Sequence, residues 1–132
     1  MTFYLSLEQV LDLHRVQIRH FGGAAGLRGR GALEAALARP QMTFGGEDLY
    51  PDIEAKAAAL MHSLVMNHPF VDGNKRVGAH ACVLLLLANT VEPTFSPAEL
   101  ADITLTLTLA RGEVAAEALA IWLRQRGRRR EG

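Results

Sequence analysis

Residues 68 to 76 read His68-Pro69-Phe70-Val71-Asp72-Gly73-Asn74-Lys75-Arg76, which gathers one imidazole, one carboxylate, one amide and two cations around a glycine. The His68 imidazole can take a proton from an attacking hydroxyl. Asp72 is a hard oxygen ligand of the kind that holds Mg²⁺ together with substrate phosphates. Arg76 offers phosphate oxygens a planar fork of donors, and Lys75 offers a point charge. Backbone N–H groups around Gly73 can form a concave anion site. The run also opens into an apolar segment, whose helical N-terminus adds unpartnered N–H groups and the positive end of a dipole. These are parts for transferring a piece of a nucleotide to a hydroxyl.

An ordinary turn accounts for Asp-Gly-Asn taken alone. It does not account for a base, a carboxylate and adjoining cations within the same few positions. A Walker-type phosphate loop is excluded by spacing, because no G-x-x-x-x-G-K-[ST] occurs and no strand leads into the segment. No HExxH or similar metal spacing is present either.

The run resembles the signature of the Fic/Doc (Fido) superfamily. That signature is H-x-F-x-[D/E]-G-N-G-R-x-x-R in the adenylylating Fic branch and H-x-F-x-D-[A/G]-N-K-R in the death-on-curing (Doc) toxin branch. His68, Phe70, Asp72, Gly73, Asn74 and Arg76 match. Lys75 stands where the Fic branch has glycine, and Ala79 stands where it has a second arginine. Both departures are those of the Doc branch. The similarity extends upstream through Gly26-Leu27-Arg28, through Leu33 to Pro40, and through Phe44 to Pro51.

The resemblance implies an all-α Fic/Doc-type helical bundle with a small flap or hairpin before the central helices. It implies a phosphotransferase acting as the toxin of a toxin–antitoxin pair, moving the γ-phosphate of ATP to a threonine of elongation factor EF-Tu and so stopping translation. His68, Asp72 and Arg76 are then the catalytic set. Asp72 is the ligand of Mg²⁺, and Gly73, Asn74, Lys75 and Arg76 surround the nucleotide phosphates. A lysine in the space that glycine leaves for the β-phosphate should turn the nucleotide round, presenting the γ-phosphorus to the hydroxyl beside His68. Adenylylation by the same residues is the rival reading, and a non-catalytic antitoxin-binding domain is a second. The intact set of His68, Asp72, Asn74 and Arg76 argues against the latter. The inhibitory helix of the Fic branch, [S/T]-x-x-x-E-[G/N], has no match here; Thr43 to Glu47 comes nearest and is followed by Asp48. Restraint is therefore expected in trans, from an antitoxin whose disordered C-terminal segment folds as a helix against an apolar groove near the site.

The positioning elements follow from pattern. Ser6 with Gln9 makes a capping box, Leu7, Val10, Leu11, Leu13 and Ile18 give a helical face, and Gly22-Gly23 ends it. His14 and His20 are expected half-exposed on this helix. Residues 22–31 read as a glycine-rich loop, followed by a helix over about 32–38 that stops at Arg39-Pro40. Met42-Thr43-Phe44 before Gly45-Gly46 reads either as half a hairpin or as a surface loop; the resemblance favours a flap that holds the target's backbone by strand addition.

From about Asp52 to Asn67, Ile53, Ala57, Leu60 and Leu64 make a helical stripe that delivers His68 at its exit, where Pro69 forbids continuation. The next helix, about 74–89, is apolar nearly all round and is expected to be the buried centre, with His62 and His80 in structural roles. Ser96-Pro97-Ala98-Glu99 is a second capping box. It decides for a helix over Ile103 to Leu109 despite their period-two alternation, with Leu100, Ile103, Leu107 and Ala110 as its stripe. The last helix, about 113–126, should turn Val114, Ala118, Leu119, Trp122 and Leu123 inward.

The chain has 132 residues, 49% of them hydrophobic, enough for one domain over 1–126 with a solvated basic tail over 127–132. A formal net charge of zero gives no global pull toward nucleic acid or membrane, so nucleic acid is expected only through an antitoxin complex. The single cysteine, Cys82, lies in an apolar run and reads as a buried hydrophobe in a reducing compartment. Residues 1–6 carry no basic residue and no long apolar core, so no secretory signal is expected. The longest apolar stretch, 77–88, falls short of the ~18 residues that suggest a membrane span. A soluble cytoplasmic protein is expected.

Overall fold

The computed structural model describes residues 1–108 and 112–130. Along them run α1 (Leu7–Phe21), α2 (Arg30–Ala38), β1 (Thr43–Phe44), β2 (Glu47–Asp48), α3 (Ile53–Asn67), α4 (Asn74–Ala88), β3 (Val91–Pro93), α5 (Pro97–Thr108), α6 (Gly112–Arg126) and β4 (Gly127–Arg129). The architecture is the mainly helical bundle, with a hairpin ahead of its two central helices, that the motif resemblance implies.

Local chemistry sets most boundaries. Gln9 N–H donates to Ser6 Oγ at 3.1 Å and Ser6 N–H to Gln9 Oε1 at 2.7 Å, closing the expected box at the head of α1. Gly22 ends that helix, its N–H reaching Ile18 O at 2.8 Å. α2 starts earlier than expected and does not stop sharply before Pro40. Arg39 keeps helical angles, and a 3₁₀ turn carries Arg39–Gln41 with the proline at its start, where a missing N–H costs nothing. The hairpin forms: Thr43 pairs with Asp48 and Phe44 with Glu47 across Gly45 and Gly46, whose φ values of 60° and 82° suit a type I′ turn.

The buried centre is α3 rather than α4. α3 packs against α2, α4 and α6, with Leu60, Met61 and Leu64 at most 1% exposed. α4 packs on it through Val77, Ala81, Leu85 and Leu86 but leaves Leu84 and Leu87 near 40% exposed. Charge hid this in the sequence. Glu54 and Lys56 look like surface residues, yet both are buried in α3 because each meets a partner.

α5 begins at the Ser96–Glu99 box and turns Leu100 and Thr104 into the core. α6 buries Ala115, Ala116, Leu119, Ala120 and Leu123, and packs Trp122 against Phe95 at 4.9 Å. Ala118, expected inward, is exposed. The expected inward side chains of Leu107, Ala110 and Val114, and the position of Leu109, lie outside the described residues.

The expected basic tail is structured over its first half. Gly127–Arg129 pairs antiparallel with Val91–Pro93, and Arg128 meets Glu92 across the strands at 3.2 Å. Arg129 reaches the buried Glu54 of α3 at 2.9 Å. Cys82 is fully buried, and burial pushes its thiol up to about 12. Among the described residues, no helix is long and apolar enough to cross a membrane.

Candidate active site at the α3–α4 junction

α3 ends on His68, which takes the left-handed conformation (φ 48°, ψ 55°) and stands exposed. That single residue turns the chain off the helix axis, and Pro69 cannot resume the helix. Phe70 then dives into the core at 1% exposure. Asn74 clamps the turn: Phe70 N–H donates to Asn74 Oδ1 and Asn74 Nδ2 to Phe70 O, both at 3.0 Å. The Asn74 side chain is thus spent on shape, and only its backbone N–H remains for an anion. Gly73 caps α4 with φ 79°, and no side chain caps the N–H groups behind it.

The loop between α1 and α2 forms a second wall. Arg28 and Gly29 N–H both donate to Pro69 O, at 2.7 and 2.9 Å, and Val71 N–H donates to Gly26 O at 3.0 Å. Leu27 and Phe70 form an isolated antiparallel bridge between these bonds. Further along, Ala24 N–H approaches Asp72 Oδ2 at 3.3 Å and Gly73 N–H bonds Asp72 Oδ1 at 2.9 Å. The carboxylate is therefore held by two amides, with lone pairs to spare. Gly23 suits this place because its φ of 108° is one that side-chain-bearing residues rarely adopt, and a Cβ on it would lie 2.7 Å from Asp72 Oδ2, pressing on the carboxylate.

α1 supplies the third wall, through a residue that sequence reasoning misplaced. His14 is 4% exposed, not half-exposed. Its ring stacks on Phe70 with centroids 3.9 Å apart and planes 8° apart, and its Nε2–H donates to Asp72 O at 2.8 Å. Asp72 lies 58 positions away, so only a helical-face argument placing His14 beside Val10 and Gln17 could have suggested burial. His20 is exposed.

Lys75 and Arg76 occupy the first turn of α4, both exposed, and among the described residues neither pairs with a carboxylate. The Arg76 guanidinium lies over the Phe21 ring, 4.3 Å from its centroid. His80, one turn on, donates from Nδ1 to Arg76 O at 3.0 Å, in the structural role expected of it. Beside these cations opens an apolar cleft of about 760 Å³, walled by Phe21, Ala79, Val83, Pro93, Phe95 and Leu100.

The hairpin is anchored to the same central helix. Lys56 Nζ donates to Asp48 Oδ2 at 3.0 Å and to Tyr50 O. Arg39 donates to Tyr50 Oη, His62 Nδ1 and Ser63 Oγ at 2.8–2.9 Å.

Among the described residues, no group of three or more His, Cys, Asp or Glu is arranged to hold a metal ion. A lone, hydrogen-bonded carboxylate beside unpaired cations does not fit a closed protein cage. It does fit Mg²⁺ shared between Asp72 and substrate phosphates. An exposed imidazole, an anchored carboxylate and a bare helix N-terminus with two cations thus share one helix–turn–helix junction.

Comparison with known proteins bears on that junction. The family model described as "Fic/DOC family" matches residues 4–86, which contain all of it. The chain is 47% identical over 92 residues to the Toxin Doc of Mycolicibacterium smegmatis, covering 70% of this chain and 68% of that protein. It is 34% identical over 122 residues to the Protein kinase doc of Escherichia phage P1, covering 92% of this chain and 94% of that one.

Proposed function

The chain belongs to the Fic/DOC family, and from that premise we propose that it is a Doc-type toxin kinase. It moves the γ-phosphoryl group of ATP to a hydroxyl of another protein, a threonine of elongation factor EF-Tu, and so arrests translation. The observation that carries this reading is the pairing of an exposed His68 at the α3 exit with a cationic helix N-terminus, uncapped by any side chain, at Lys75 and Arg76. An exposed base suits a hydroxyl carried on a macromolecule, which cannot enter a closed pocket.

His68 takes the proton as the target oxygen bonds to the γ-phosphorus. The bond to the β–γ bridging oxygen breaks, and ADP leaves. Arg76 and the Asn74 amide, at the turn that Gly73 makes, hold the phosphate oxygens, Lys75 fixes the orientation of the nucleotide, and Asp72 would hold Mg²⁺. When bound, the metal neutralises phosphate charge. Positioning and charge neutralisation then carry most of the rate. The names of the two relatives support the toxin and kinase parts of the reading. The apolar cleft beside Lys75 and Arg76 suits the helix of an antitoxin segment with an acidic residue at one end, so restraint would arrive in trans.

The test is transfer from ATP labelled at the α or the γ position, with wild-type protein and His68→Ala. Label from the γ position should reach the target, and His68→Ala should lower the rate ~10²–10⁴-fold while leaving the fold intact. Label from the α position would instead establish adenylylation. A fully active His68→Ala protein would remove the base from the mechanism.

A further inference from the structure

We propose that His14 is a positioning residue for the phosphate-binding turn. The argument begins with the peptide unit joining Asp72 to Gly73. That unit is planar and trans, so its carbonyl and its N–H point in opposite directions. His14 Nε2–H fixes the carbonyl end at 2.8 Å from within α1. The N–H end is thereby aimed the other way, where it meets Asp72 Oδ1 at 2.9 Å. One hydrogen bond from a buried ring thus sets the peptide plane, and the peptide plane sets the carboxylate rotamer.

The ring has little freedom to do otherwise. It is 4% exposed and lies flat on Phe70, which is itself clamped to Asn74. Phenylalanine at position 14 would stack without donating, and glutamine would donate from nearly the same place without stacking. Histidine does both. A Cβ on Gly73 would lie 3.7 Å from Nε2, so the donor stands directly against the residue that caps α4.

This rests on the reading of Asp72 and the α4 N-terminus behind Gly73 as the groups that hold Mg²⁺ and phosphate. The experiment therefore measures the turn as well as the chemistry. The full chain and its His14→Phe and His14→Gln variants are compared by amide hydrogen exchange over residues 71–76 without nucleotide. Transfer kinetics follow, with kcat separated from KM for the target protein. In His14→Phe, exchange in the turn should rise about tenfold while the core of α3 keeps its protection. Its kcat should fall ~10–100-fold, the usual loss when a residue orienting a metal ligand is removed, at unchanged KM for the target. His14→Gln should stay within about threefold of wild type in both. Wild-type exchange and kcat in His14→Phe would overturn the proposal, as would a Gln variant no better than the Phe variant. If His14→Phe does not fold, the Gln variant decides alone: a wild-type turn supports the donor, a loosened turn refutes it. If the wild-type protein transfers no phosphate, the kinase reading falls while the exchange data still judge His14.

Discussion

His68 holds a backbone conformation that penalises it. A non-glycine residue in the left-handed region costs roughly 1 kcal/mol or more, and the His68 side chain is too exposed to recover this by packing. His68→Gly should therefore raise the free energy of unfolding by about 1 kcal/mol while abolishing transfer. Denaturant melts of the two proteins check it, and a less stable glycine variant counts against the strain. Asp72→Asn keeps the size of the side chain and loses its charge, so Mg²⁺-dependent nucleotide binding should weaken at least about tenfold. Titration with and without metal reads this; transfer that runs unchanged in excess chelator would deny Asp72 its role. At this scale the motif from His68 to Arg76 was legible because it is contiguous. His14 was not, because its partners Phe70 and Asp72 come from another part of the chain and an imidazole on a helix face looks the same wherever it points.

The central helix α3 starts on Asp52, which accepts from Ala55 N–H at 2.8 Å and is gripped by Arg124 from α6. The Arg124 hydrogen bond is the largest cause holding the Asp52 carboxyl below its ordinary value, helped by the Ala55 amide and opposed by burial. A lowered folded-state value means the contribution is present above the unfolded value and is lost as pH falls below about 4. Arg124→Met should lose about 0.5–1 kcal/mol at neutral pH, given how exposed both partners are. The gap between variant and parent should narrow progressively as pH falls below about 4, and melting curves taken across that range would expose a gap that persists. The ends of α1, α3 and α4 could be read from Ser6, Pro69 and the Gly73 turn, since caps and breakers act locally. The rank of α3 over α4 could not. Hydropathy counts Glu54 and Lys56 as surface residues, and only the fold reveals the Arg129 and Asp48 that let them sink.

Across the whole molecule, the α3 that carries His68 is held from three directions. The hairpin grips it through Lys56, α6 through Arg124, and the second small sheet through Arg129 on Glu54. The pairing of Val91–Pro93 with Gly127–Arg129 left little trace in the sequence, because two three-residue strands show no usable period and their register is set by contacts across the fold. Arg129→Ala should cost about 1–3 kcal/mol by leaving the Glu54 carboxylate buried without that cation. Glu54→Gln in the same background should recover part of it, as unfolding curves of the single and double variants will tell. The strap also has a meaning in time. Arg129 follows Glu54 by 75 positions, so a nascent chain has α3 and the whole His68–Arg76 motif outside the ribosome well before the residue that seals α3 has been made. Until then a carboxylate waits at the head of that helix for a charge not yet translated, and closure of the core is deferred. A message broken before codon 129 should accordingly yield protease-sensitive protein without activity, and a cell that stalls midway through making this chain would be spared the finished enzyme.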